Sequence, residues 1–193
     1  MSVPDFAVES SVSRFILLDR DGVINERVPG GYVTSWEEFR FLPGALDALR
    51  RLARQAYSVL VVSNQAGVGK GLMTPLTLED LTRRFVRRVA RAGGDISAVY
   101  YCTHRREDNC ECRKPKPGLL LRAQREHGFS LRRTFLVGDD ESDWLAARAV
   151  GCPMIKVGRA RWDASDRSRV VHRYTLPDLR AAVSWVLRER FAP

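Results

Sequence analysis

Apolar positions along this chain alternate between two rhythms. Short, nearly continuous apolar runs fall at 15–18 (FILL), 57–63 (YSVLVVS), 96–101 (ISAVYY), 134–138 (TFLVG) and 153–158 (PMIKVG). Between and after them, GALDALRRLARQ, TLEDLTRRFVRRVARAGG, PGLLLRAQREHG, ESDWLAARAVG and PDLRAAVSWVLRER repeat apolar residues at helical spacing. Continuous strands rather than alternating ones belong to a parallel sheet buried on both faces. Strands in regular exchange with helices predict an α/β, doubly wound, mostly parallel, Rossmann-like sheet with right-handed crossovers. Pro43-Gly44 marks one helix start, Thr77 is the expected N-cap of the next, and Gly93-Gly94 its stop. No internal repeat or low-complexity linker divides residues 1–193, which are expected to form one domain.

In such folds ligands gather at the carboxyl ends of the strands. Three of those ends read LLDRDGVIN, VVSNQAGVGKG and LVGDDESD, so polar residues collect along one edge. Composition narrows the partners. The net charge of +9 invites a nucleic-acid reading, but 28 of the 32 cations are Arg, spread along the whole chain. The densest run, TRRFVRRVARAG, reads as a solvated helix face. No segment approaches the roughly 18 apolar residues of a membrane span, and the N-terminus lacks the pattern of a secretory signal. The expectation is a cytoplasmic monomer acting on a small anionic molecule, without nucleic acid or membrane as partner.

Asp19 and Asp21 leave the first strand at i, i+2, with Gly22 permitting a sharp turn. That spacing suits a division of labour, one carboxylate attacking and holding a cation while the other moves a proton. Joined to Gly138-Asp139, the pair offers the oxygen donors that Mg²⁺ requires. VGKG at 68–71 is not a phosphate-binding P-loop, because Asn64 and Gly71 stand where Gly and Ser or Thr are needed. Ser63 and Asn64, ending a strand, are placed to donate to a phosphate.

CTHRREDNCECRKPKPG, residues 102–118, holds three of the four cysteines and one of the three histidines. Cys102, His104, Cys110 and Cys112 supply the four ligands of a tetrahedral Zn²⁺, a closed and therefore structural site in the loop at about 102–112. Arg113 and Lys114 follow directly, a guanidinium for phosphate and an ammonium for a phosphoryl group in transfer. Cys152, His127 and His172 are read as structural residues, and the four tryptophans as packing or rim residues.

Taken together, LLDRDGVIN, the Ser63 of VVSNQAG, the Lys114 of CRKPKPG, and GDDESD resemble the haloacid dehalogenase superfamily of phosphatases over roughly residues 14–160. GYV, SNQAGVGKG, YYCTH and CRKPKPG narrow the resemblance to the zinc-containing heptose 1,7-bisphosphate 7-phosphatases. That resemblance implies the haloacid dehalogenase fold with a minimal cap, a catalytic Mg²⁺ and a structural Zn²⁺. It implies hydrolysis of the C7 phosphate of D-glycero-D-manno-heptose 1,7-bisphosphate through an aspartyl-phosphate. Asp19 would be the nucleophile, Asp21 the proton donor and acceptor, and Ser63 and Lys114 the groups that steady the phosphoryl. Arg113 would contact substrate, with Gly30, Gly31, Tyr32, Asn64 and Gln65 lining its pocket. Asp139 would complete the Mg²⁺ site with Asp19 and the main-chain carbonyl of Asp21, and Cys102, His104, Cys110 and Cys112 would hold Zn²⁺. Two departures stand out. Asp140 replaces a Lys found in some members, and the five residues between His104 and Cys110 resemble the related histidinol-phosphate phosphatase domains. Histidinol-phosphate hydrolysis, and a zinc module binding nucleic acid, remain the alternatives.

Overall fold

A computed structural model describes residues 14–158 and 173–188. In chain order the elements are β1 (Arg14–Leu18), α1 (Ala45–Arg54), β2 (Tyr57–Asn64), α2 (Pro75–Arg91), β3 (Ala98–Cys102) and α3 (Gly118–His127). A single 3-10 turn then leads to β4 (Phe135–Gly138), α4 (Glu141–Ala149), β5 (Met154–Val157), β6 (Arg173–Leu176) and α5 (Leu179–Arg188). The six strands form one sheet in the order β3-β2-β1-β4-β5-β6, and every pairing is parallel.

The pleat explains why the strands read as unbroken apolar runs. In β1, Ile16 and Leu18 pack on one face with Leu49 of α1, Phe85 of α2 and Val183 of α5. Leu17, between them, turns to the other face and packs with Leu120 of α3 and Trp144 of α4. Both faces are thus dry, as the sequence pattern requires. The first two crossovers carry the chain outward through β2 to β3, and the next returns it past β1 to β4. The direction of winding therefore reverses between β1 and β4. Crevices at such a reversal are where doubly wound sheets take their ligands.

Three details differ from the sequence expectation. The helix placed after Thr77 starts earlier: Thr74 is the cap, its hydroxyl accepting from the Thr77 amide at 3.1 Å, with Pro75 in the first turn. Proline's fixed φ suits that position, and its missing N–H costs nothing there. The third strand begins at Ala98, although Ile96 is buried in the same core. β6, a four-residue edge strand, was not anticipated, because RYTL carries too short an apolar signal.

Between β1 and α1 the chain forms no helix or regular strand, only isolated bridges joining Asp21 to Asn25 and Asn25 to Phe41. This short connection is the minimal cap. Cys152 is wholly buried, its thiol donating to the Thr134 carbonyl at 3.0 Å, which fits a structural thiol. His127, closing α3, meets the Tyr100 hydroxyl at 2.9 Å. His172 and Trp162 lie outside the described residues.

Candidate active site

The residues that follow β1, β2, β3 and β4 converge on one crevice. Asp19 comes directly after β1, its amide donating to Val137 of β4 at 2.9 Å. Its carboxylate is almost wholly buried. Gly22 turns the chain with φ +88°, and a Cβ there would lie 2.1 Å from an oxygen of Asp139. Only glycine lets the loop after β1 approach the loop after β4 so closely.

Lys114 is buried between these strand ends. Its ammonium donates to Asp19 Oδ1 at 2.9 Å, Val62 carbonyl at 2.9 Å and Asp143 Oδ1 at 2.5 Å. Three N–H bonds have three acceptors. Burial favours the neutral amine; the Asp143 and Asp19 carboxylates outweigh it and raise the ammonium well above the usual lysine range. The backbone of Lys114 is fixed as firmly. Asn64 Nδ2 donates to the Lys114 carbonyl at 3.0 Å, and the Lys114 amide donates to Asn64 Oδ1 at 3.1 Å.

Asp21 is held by donors. Arg20 reaches both of its oxygens, at 3.2 and 3.0 Å, Asn25 donates at 2.8 Å and Gln65 at 2.7 Å. Burial pushes this carboxyl up, but the Arg20 guanidinium and the amide donors pull it below the ordinary aspartate range. Arg20 is itself fully buried, with ring faces of Phe39 and Tyr101 at 5.9 and 5.7 Å. Gln65 joins the network at three points, its Nε2 also reaching Ser63 Oγ at 3.2 Å and its Oε1 accepting from Arg20 at 3.0 Å.

Two of the expected pocket residues therefore do something else. Gln65 is buried and does not line the crevice; it fixes Asp21 and Ser63. Asn64 lies at the crevice wall, but both ends of its amide are engaged with Lys114. Gly30, Gly31, Tyr32 and Arg113 do line the crevice, together with Asp19, Asp21, Ser63 and Lys114. Its volume is about 340 Å³, room for one sugar-sized ligand.

Several site residues escaped the sequence reading. Asp143, in the first turn of α4, takes Lys114 on one oxygen and caps the Asp140 amide with the other at 3.2 Å. The spacing from Asp140, three residues before an apolar helix, is a capping-box signal that hides the ion pair. Arg27 reaches from the cap segment to Asp139 at 2.9 Å and Asp140 at 3.2 Å. Nothing local in the sequence announces that contact across 112 positions.

Two side-chain clusters have the composition of metal sites. One ligand atom from each of Cys102, His104, Cys110 and Cys112 falls within a span of 4.8 Å. The neighbouring S···S distances are 3.5 Å, and the His104 Nδ1 lies 3.7 and 3.3 Å from the sulfurs of Cys102 and Cys112. A tetrahedron with Zn–S near 2.3 Å has edges of about 3.8 Å, so the four donors fit that ion. The second cluster is Asp19, Asp139 and Asp143. Burial and the Asp19 carboxylate push Asp139 up to about 7, with Arg27 opposing. Three carboxyl groups crowded in this way are suited to a divalent cation. The Asp21 side chain is turned away toward Arg20, which leaves only its main-chain carbonyl for such an ion.

Residues 111–182 match the HAD-hydrolase-like family. The chain is 39% identical over 137 residues to the D-glycero-beta-D-manno-heptose-1,7-bisphosphate 7-phosphatase of Helicobacter pylori strain J99, covering 70% of this chain and 78% of that protein. It is 41% identical over 151 residues to the D-glycero-alpha-D-manno-heptose-1,7-bisphosphate 7-phosphatase of Mycobacterium bovis, covering 75% and 80%. The crystal structure of the D,D-heptose 1,7-bisphosphate phosphatase from B. bronchiseptica, complexed with magnesium and phosphate, superposes with a TM-score of 0.85. There the identity is 32%, over 92% of this chain and 99% of that one.

Proposed function

The chain belongs to the haloacid-dehalogenase-like hydrolases, in the family of heptose 1,7-bisphosphate 7-phosphatases, and we propose that it removes the C7 phosphate from D-glycero-D-manno-heptose 1,7-bisphosphate. The observation that carries this reading is the buried Asp19 carboxylate, fixed 2.9 Å from Lys114 at the floor of the crevice, with Asp21 and Ser63 beside it.

In the first step Asp21, which its donors hold below the ordinary aspartate range, takes up a proton as the anionic phosphate docks beside it. Asp19 attacks phosphorus, the bond from phosphorus to the C7 oxygen breaks, and Asp21 gives that proton to the departing oxygen. Water then attacks the aspartyl-phosphate, Asp21 takes the water proton back, and phosphate leaves with Asp19 restored. Lys114, held protonated by its two carboxylates, neutralises charge on the equatorial phosphoryl oxygens. Ser63 accepts from Gln65, which leaves its hydroxyl hydrogen for a phosphoryl oxygen. Arg20, Asn25 and Gln65 keep Asp21 in one orientation, and positioning of this kind carries most of phosphoryl-transfer catalysis.

Asp19, Asp139 and the Asp21 carbonyl would hold Mg²⁺, which supplies charge neutralisation and alignment of the phosphoryl group when bound. Cys102, His104, Cys110 and Cys112 would hold a structural Zn²⁺ that fixes the loop carrying Arg113 and Lys114. The reading has the chain work as a cytoplasmic monomer on a free sugar phosphate. Among the described residues no helix is long and apolar enough to cross a membrane.

Loop length does not favour histidinol phosphate over the heptose. Residues 105–109, the interval that looked short, are all exposed and none lines the crevice. The test is phosphate release from heptose 1,7-bisphosphate and from histidinol phosphate, each with Mg²⁺ and with EDTA. Mg²⁺-dependent turnover of the bisphosphate, abolished by Asp19→Asn, is the expected result. Preference for histidinol phosphate, or an active Asp19→Asn protein, overturns it.

A further inference from the structure

Among the described residues four cations line the crevice, and two of them are already paired with carboxylates. Lys114 is shared by Asp19 and Asp143. Arg27 is paired with Asp139 and Asp140. Arg113 makes one long contact to the His104 carbonyl, at 3.5 Å, which leaves the rest of its guanidinium for the substrate contact expected of it. Lys70 is different: its ammonium lies 5.2 Å from the centre of the Tyr32 ring, and no carboxylate or carbonyl among the described residues meets it.

That placement is built rather than incidental. The turn after β2 is docked at its base, where the Gln65 amide donates to the Cys102 carbonyl at 2.7 Å and the Gly69 amide to the Thr103 carbonyl at 3.0 Å. A Cβ on Gly69 would lie 2.5 Å from that carbonyl, and one on Gly67 only 3.3 Å from the Tyr32 ring. Glycines at both points let the turn sit against the cysteine loop on one side and Tyr32 on the other. The Lys70 amide closes the turn onto the Ala66 carbonyl at 2.9 Å. An exposed lysine normally sweeps a wide volume; this one starts from a fixed base and rests on an aromatic face at the crevice rim.

Asp140 makes the need for such a cation plain. It leaves the Asp139–Asp140 side of the crevice acidic, with Arg27 consumed in balancing it. A second phosphate on the substrate would be repelled there and must find its counter-charge elsewhere.

We propose that Lys70 is a specificity-determining residue that binds the second, non-reacting phosphate of a sugar bisphosphate, with the Tyr32 ring holding its side chain in place. The inference rests on the bisphosphatase reading above and deepens it. An ammonium is a compact point charge whose three donors suit a dianionic phosphate without demanding bidentate geometry. Loss of one such charge-assisted contact costs about tenfold or more in affinity.

The experiment compares Lys70→Ala and Lys70→Arg with the wild type on two substrates, heptose 1,7-bisphosphate and heptose 7-phosphate, which lacks the second phosphate. Lys70 is exposed, so both variants are expected to fold. The result expected for Lys70→Ala is a KM for the bisphosphate raised about tenfold or more. Its KM for the monophosphate should change less than about twofold, with Lys70→Arg retaining most of the preference. An active wild type whose Lys70→Ala variant treats both substrates as before, or loses both equally, overturns the inference alone. A wild type that fails to turn over the bisphosphate overturns the parent reading, and the inference with it.

Discussion

Asp143 and Asp19, far apart in sequence and on different sides of the β1–β4 crevice, share a single ammonium, that of Lys114, at 2.5 and 2.9 Å. One of these carboxylates would do chemistry and the other would not. Asp143 has both oxygens committed, to Lys114 and to the Asp140 amide, which makes it the strut on which Lys114 leans.

Replacing Asp143 with Ala leaves the Lys114 charge half-compensated and removes the return half of the α4 capping box, while Asp140 still caps the Ser142 amide. Breaking a buried pair from one side costs roughly 3–5 kcal/mol, which a denaturant titration will read directly. Asp143→Asn keeps an acceptor for the Asp140 amide and is expected to lose less stability. Its kcat should still fall, because Lys114 is then free to shift toward Asp19. Stability and rate measured on both variants separate the two contributions.

Gln65 gives a sharper contrast between two roles. A residue lining the substrate pocket raises KM when truncated, whereas one that orients Asp21 and Ser63 lowers kcat. Gln65→Leu is expected to lower kcat about 10- to 100-fold, with KM nearly unchanged, in steady-state assays. It leaves Arg20 and Asp21 short of a partner, at a further cost of about 1–3 kcal/mol. A raised KM with kcat intact would return Gln65 to the pocket wall.

The cysteine cluster should hold about one zinc per chain through dialysis. Stripping it with a chelator, or substituting Cys110→Ser, is expected to lower Tm by roughly 5–10 °C and to reduce turnover, since Lys114 and Arg113 ride on the same loop. Metal analysis and a thermal melt check both. Protein prepared without zinc that melts and turns over normally would rule the site out.

Without a divalent cation, Asp139 is pushed up to about 7, first by burial and then by Asp19. A carboxyl raised above its unfolded value stabilises the fold fully only below that unfolded value, and the benefit is lost as pH climbs through about 7. In EDTA the protein should therefore melt at lower temperature at pH 8 than at pH 5. Added Mg²⁺ should reverse the trend, with an apparent affinity that rises over the same interval as the proton leaves. Melts at the two pH values, with and without Mg²⁺, test the sign.

Much of this was legible in the sequence because its cues are local. Unbroken runs such as LVV in β2 require two covered faces, and Gly22 marks a turn that admits no side chain. The contacts across long sequence separations were not legible. Arg20 looks like a solvated residue between two carboxylates until Phe39 and Tyr101 close over it. Asn64 and Gln65 look alike as polar residues at a strand end. Only the tertiary packing turns one onto the Lys114 backbone and the other inward to Asp21. Asp143 was hidden by a second local role, the capping of α4, that accounted for it fully.

The parallel sheet also sets a condition on how the protein gains its activity. Asp19 follows β1, Ser63 lies near the end of β2, Lys114 sits in the loop between β3 and α3, and Asp143 lies in the first turn of α4, and no hairpin or single helix brings any two of them together. Loop-closure entropy must be met for every one of these pairings. During refolding, helical signal is expected to return first and phosphate release last. The assay for turnover doubles as a gauge of long-range order, reading zero until the two central strands are side by side.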